Sequence, residues 1–351
     1  MWHCRRRLLV ALLVSLGWLF PAAGFAQTSW QLASRLQAGL EYDSNIFEAS
    51  ALPVPAPAGR LLFQTRAEKN TARWRVEVDY AGALQVYSQH RPENKLLQDL
   101  SGGLLWQATE RCKLFARGQA MLKLYLDNVT DYGTTTVLAG LTAAITPSAH
   151  FEVSAETGQL DYAIGEEFDY TFNGAGMALR FRPAEKLLCE TGVLQRRFHY
   201  PARPMLAGAG VLQASPQNDD VTALRLIASY GRKYLLRARL EAQRQRSNRD
   251  IFDYDRVQIH FLFGCTPAPR WLLRTAFTLQ RKRYLISSSP VPLPELDPER
   301  EQSNHAALDL SRNLSNEINW SLRLAYHNNE TPVRGLFYRK LLLFTGFELR
   351  F

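Results

Sequence analysis

The sequence predicts an all-β fold: a closed antiparallel transmembrane β-barrel of about 16 strands, within a range of roughly 14 to 18. Three observations predict it. Long runs alternate apolar and polar residues with period two. The breaks between those runs alternate between short and long. The last twelve residues, KLLLFTGFELRF, carry the same alternation to a terminal aromatic.

The first residues, MWHCRRRLLVALLVSLGWLFPAAGFAQ, precede that pattern. Arg5, Arg6 and Arg7 open a basic region, an apolar run follows, and Gly24-Phe25-Ala26 forms a small-x-small cleavage site. This predicts a secretory signal peptide over residues 1–26, cut after Ala26, with the barrel over residues 27–351. Beyond it no apolar run approaches the roughly 18 residues of a membrane helix. Mean hydropathy is only −0.23, which suits a barrel, because its strands are short and apolar on one face only. Cys112, Cys189 and Cys265 remain after the signal. An odd number rules out a fully paired disulfide framework, leaving at most one bridge.

The clearest internal strand is RWRVEVDYAGALQVY, residues 73–87. Trp74, Val76, Val78, Tyr80, Gly82, Leu84 and Val86 share one face; Arg73, Arg75, Glu77, Asp79, Ala81, Ala83 and Gln85 share the other. Residues 112–126, 234–245, 255–265 and 317–327 repeat the pattern. Seven connections are short, at 68–71, 109–111, 146–150, 183–186, 231–233, 266–270 and 313–317. Eight are mostly longer, at 48–59, 89–94, 127–133, 163–167, 201–218, 247–253, 287–301 and 329–335. Short turns at one end and long loops at the other give an even strand number with both termini on the short-turn side. Lipid satisfies no free sheet edge, so such strands must close on themselves. The polar stripe then faces a watery lumen, and Trp74, Tyr80, Trp106, Trp271, Trp320 and Tyr326 are expected near the two interfaces.

This combination resembles the Gram-negative outer-membrane β-barrels of the porin type. Phe351, with Leu349, Phe347 and Leu343 at alternate positions before it, resembles the C-terminal signal read by barrel-insertion machinery. AGLEYDSNIF, residues 38–47, resembles the first strand of porin-like proteins often encoded beside exopolysaccharide genes. The resemblance implies an outer-membrane location, short periplasmic turns, extracellular long loops, and contact with outer-membrane lipids and the insertion machinery. It leaves open a link to polysaccharide export components, and the oligomeric state.

A barrel of this size is wide enough for an aqueous channel. The inferred lumen face is rich in cations: Arg35, Arg73, Arg75, Arg117, Lys123, Arg180, Arg225, Arg237, Arg239, Arg274 and Arg323. Basic linings favour anions, so the expected function is a channel for small polar or anionic solutes, including an acidic polysaccharide. Mutual pairing of these arginines with lumenal carboxylates is the plainer alternative. Glu41, Asp43 and Asn45 fall at the mouth, where they either bind a cation or sugar or shape the loop that follows. The apolar stretch 201–218 is expected to fold back as a constriction, and the proline-rich 287–301 to stay outside.

Two other classes remain open. One is a binding or scaffold barrel with an occluded pore. The other is a lipid- or glycan-modifying barrel enzyme. Ser303, His305 and Asp309 share a face, but strand neighbours two apart stand about 7 Å from each other, too far for a direct Ser–His bond. No enzyme activity is expected. His260, His305 and His327 face inward without a spacing that implies convergence, so no metal and no cofactor are expected. Nucleic acid is not expected as a partner, since only the formal charge of +9 speaks for it.

Overall fold

The computed structural model describes residues 30–49, 51–127, 131–163, 165–166, 168–206, 212–249, 252–285, 304–329 and 338–351. The expected signal peptide lies outside them, as does the stretch 287–301. Sixteen strands follow in order: β1 (Trp30–Asp43), β2 (Ala56–Asn70), β3 (Trp74–Tyr87), β4 (Lys95–Gln107), β5 (Cys112–Tyr125), β6 (Tyr132–Thr146), β7 (Ala149–Tyr162), β8 (Tyr170–Ala184), β9 (Leu187–Leu206), β10 (Leu212–Gly231), β11 (Tyr234–Ser247), β12 (Tyr254–Cys265), β13 (Trp271–Tyr284), β14 (Asn304–Asn313), β15 (Ile318–Asn329) and β16 (Tyr338–Arg350). Each pairs antiparallel with its sequence neighbours, and β16 pairs with β1, so the sheet has no free edge.

Closure runs from Arg35 opposite Arg350 to Asp43 opposite Leu342. At the short-turn end Ser34 and Phe351 exchange both backbone hydrogen bonds, at 2.9 and 3.0 Å. Gly39 faces Gly346 across the seam. A Cβ on Gly39 would lie 2.2 Å from the Thr345 carbonyl oxygen, and one on Gly346 2.4 Å from that of Ala38. The close approach of the two backbones, with the Phe344 ring beside them, therefore requires glycine.

Polar side chains close the short turns. Thr71 accepts from the Trp74 amide through its hydroxyl at 2.9 Å, and Ser315 accepts from the Ile318 amide at 3.0 Å. Such local bonds let the chain reverse within a few residues.

Register fixes the faces. Leu40 (70% exposed), Leu279 (55%) and Phe347 (58%) point outward with most other large apolar residues. Trp74 stacks on Trp106 at 5.4 Å, and Trp271 meets Trp320 edge-on at 6.3 Å, both outside near the short-turn end. Tyr80 departs from its expected interfacial place. It sits mid-strand, opposite Leu100 and Thr65, where its ring lies over the space left by Gly82. The three described cysteines also face outward and are unpaired.

The stretch 201–218 corrects an expectation. Residues 201–206 and 212–218 extend β9 and β10 as a paired hairpin, so they form no constriction loop in the lumen. The register slips between Ser215 and Gln217. Pro201 and Pro216, which have no N–H to offer a ladder, fall within that irregularity. Proline reads as a loop signal in sequence; here it marks a bulge.

Candidate functional site

The interior face is the candidate site. Toward the long-loop end inward side chains are buried on strand after strand: Asp43, Tyr87, Leu160, Tyr170, Tyr200 and Tyr254 among them. Toward the short-turn end Arg35, Arg75, Lys113, Arg237 and Arg350 are exposed. The lumen is therefore lined most tightly at the mouth.

One mouth element is a charge network across the seam. Lys340 places its ammonium 2.9 Å from Asp43 and 3.3 Å from Glu48. Tyr87 donates its hydroxyl to Asp43 at 3.0 Å, while Arg60 and Gln85 donate to Glu41 at 2.9 and 2.6 Å. The Asn45 amide nitrogen donates to Asp43 at 3.0 Å, and the Asn45 side chain donates to the carbonyls of Ala49 and Arg339. Both Asp43 oxygens are thus engaged, and Asn45 shapes the first long loop. Nearby, the Lys123 ammonium lies 4.9 and 5.4 Å from the Tyr125 and Tyr132 ring centroids, and that of Lys95 5.9 Å from Tyr87. Aromatic faces attract such cations.

A second element is apolar. Tyr132, Leu160, Tyr170, Phe172, Phe198, Tyr200 and Val221 form one buried cluster on the inner wall of β6 to β10. Tyr170 is its hub, with Phe198 and Tyr200 at 5.4 and 5.3 Å. Arg196 caps the cluster over Phe172 and pairs with Glu156 through two bonds. The alternation Tyr170/Phe172 and Phe198/Tyr200 is the sequence signal for this cluster: aromatics on the stripe that is otherwise polar.

The third element gathers three arginines on one carboxylate. Arg225, Arg239 and Arg256 from β10, β11 and β12 all reach Glu241, Arg225 at 3.3 Å and Arg256 at 2.9 Å. Glu241 is buried, so the three guanidiniums supply the hydrogen bonds that a buried carboxylate needs.

Of the arginines predicted from sequence, Arg35, Arg75, Arg180, Arg225, Arg239 and Arg323 have acidic partners: Glu348, Glu68 and Glu77, Glu190, Glu241, Glu241 again, and Asp309. Arg73 sits in the turn before β3, not on the lumen wall. Arg117, Lys123, Arg237 and Arg274 point inward with no carboxylate in ion-pair range among the described residues, as do Lys95 and Lys113. Lys113, Arg117 and Arg180 line a recess of about 380 Å³ with His150 and Glu152.

The histidines do not converge. His260 bonds to Thr278 at 2.8 Å, while His305 stacks on His327 at 5.8 Å. Among the described residues no group of three or more ligand-type side chains could hold a metal ion. Asp309 is held by Arg323 at 3.6 Å, and Ser303 lies outside the described residues.

The outward residues Leu343, Phe347, Leu349 and Phe351 keep 43%, 58%, 42% and 66% of their surface exposed. An apolar exterior on a closed sheet with a charged interior is the inverse of a water-soluble protein. The chain is a β-barrel of the outer-membrane type. No protein-family model matches it, and no curated protein does. Solved structures with a similar course include OmpT of Vibrio cholerae with loop L8 deleted, 9% identical over 93% of this chain and 100% of that one, TM-score 0.49. Pseudomonas aeruginosa OpdQ is 10% identical over 92% and 98%, TM-score 0.45. A bacterial polysaccharide outer-membrane secretin is 8% identical over 91% and 98%, TM-score 0.45. None of these likenesses assigns a solute to this chain.

Proposed function

We propose that this barrel is a porin-like channel of a Gram-negative outer membrane that prefers small polar or anionic solutes. The observation that carries the reading is the cationic surplus of the inner wall. Lys95, Lys113, Arg117, Lys123, Arg237 and Arg274 have no acidic partner among the described residues, and Glu241 is shared by three arginines. Rings of unneutralised cations lower the barrier for anions and raise it for cations. An acidic polysaccharide chain is one solute of this chemistry.

A second reading, a barrel with an occluded pore that binds or scaffolds, is favoured by the aromatic cluster and the tightly lined mouth. Planar-bilayer recording separates the two. Discrete conductance steps, with a reversal potential displaced toward the chloride equilibrium in a KCl gradient, support the first. Insertion without conductance supports the second. Displacement toward the potassium equilibrium contradicts anion preference.

A further inference from the structure

The outer wall of β9 to β13 is not apolar to its end. On β11 the outward residues run Tyr234, Leu236, Ala238, Leu240 and Ala242, then Arg244 and Arg246. On β13 they run Trp271, Leu273, Thr275, Phe277 and Leu279, then Arg281 and Arg283. Eight steps of about 3.3 Å make a band of about 26 Å along the strand. Tilted by roughly 40°, this spans about 20 Å of depth, most of the roughly 25 Å apolar height of a membrane barrel. The guanidiniums therefore begin where hydrocarbon ends, on the long-loop side. On β1, β3 and β5 the same level carries Tyr42, Val86 and Leu124 instead.

Register places these charges in two lateral rows. Arg197, Asp220 and Arg246 lie side by side on β9, β10 and β11. Arg244, Asp255 and Arg283 do so on β11, β12 and β13. The aspartates are engaged within their rows, Asp220 with Arg197 at 2.7 Å and Asp255 with Arg244 at 3.1 Å. Arg281 and Arg283 are exposed and have no carboxylate in ion-pair range among the described residues.

We propose that this patch binds the phosphate groups of a lipid in the leaflet on the long-loop side. Guanidinium forks match phosphate oxygens. The apolar strip directly below, with Ile259, Phe277 and Leu279, would take the acyl chains of the same molecule. A second copy of the barrel docked symmetrically would set arginine against arginine. The proposal rests on the membrane reading given above but not on conduction.

The test uses the full mature chain, first scored for folding into zwitterionic vesicles by heat modifiability. Native mass spectrometry in detergent then compares diphosphoryl lipid A with phosphatidylcholine, with and without inorganic phosphate. The proposal predicts retention of diphosphoryl lipid A about tenfold above phosphatidylcholine. R281Q/R283Q should abolish most of that preference. R312Q, which removes an outward arginine at the opposite end, should preserve it. Equal retention of both lipids, or an unchanged preference in R281Q/R283Q, overturns the proposal and leaves the barrel intact. Binding of inorganic phosphate without retention of diphosphoryl lipid A overturns the lipid assignment in favour of a free anion. A chain that never enters vesicles overturns the membrane reading as well.

Discussion

Lys340 sets its ammonium 2.9 Å from the Asp43 carboxylate, tying the last strand of the barrel to the first. Both side chains are buried, Asp43 almost completely. The pair stands where the sheet must close between the strands farthest apart in sequence. Removing one partner leaves a charge without its match in a poorly hydrated place. K340M should therefore lower the unfolding free energy in urea by about 3 kcal/mol. D43N/K340M should recover part of that loss, because no buried carboxylate is then stranded; Glu48, the other partner of Lys340, is half exposed. An equal or larger loss in the double variant would show that the pair is not the coupling.

The aromatic cluster fills the inner wall of β6 to β10, so trimming it should widen the mouth and weaken the wall together. F198A removes a buried ring and should cost about 3 to 5 kcal/mol. In bilayers the same variant should conduct more than the parent chain. Lower stability with unchanged conductance would place the cluster away from the limiting section of the pore.

Glu241 offsets three arginines, and its neutralisation should act on selectivity. E241Q should displace the reversal potential further toward chloride, whereas R237Q/R274Q should displace it toward potassium. Both follow from the charge each leaves on the wall. A displacement of the same sign in the two variants would contradict the reading.

Phe351 carries an exposed outward ring, and its backbone pairs with Ser34 at the seam. We propose that insertion machinery reads Phe351; deleting it should then slow assembly in cells more than refolding in detergent. Pulse-chase heat modifiability in the two settings checks this. Equal retardation would make the residue a structural hinge-pin alone.

Much of this architecture was legible in the residues. Sixteen strands followed from the alternation of short and long breaks, since a membrane barrel needs period two along each strand and a reversal at each end. The stretch 201–218 was misread because Pro201 and Pro216 look like loop punctuation, while in the barrel they fall at a bulge in a long hairpin. Parity assigned arginines to the inner face, with Arg73 falling instead in a turn, and could not name their partners. Glu241 meets Arg225 and Arg256 only through the registers of β10 with β11 and of β11 with β12, and no single strand carries that information. The inward aromatics were missed for a related reason. Tyr170 and Phe198 become a cluster only once β8 and β9 are set side by side.

The alternation on β11 offers the most direct test of an apolar exterior around a wet interior. Single cysteines would replace residues 236 through 243 one at a time, in a chain whose native cysteines are changed to serine. Each carries a polarity-sensitive fluorophore in lipid vesicles. Labels at 236, 238, 240 and 242 should report hydrocarbon and be quenched from within the bilayer. Labels at 237, 239, 241 and 243 should report a polar lumen and escape that quenching. A uniform signal along all eight positions would contradict the account.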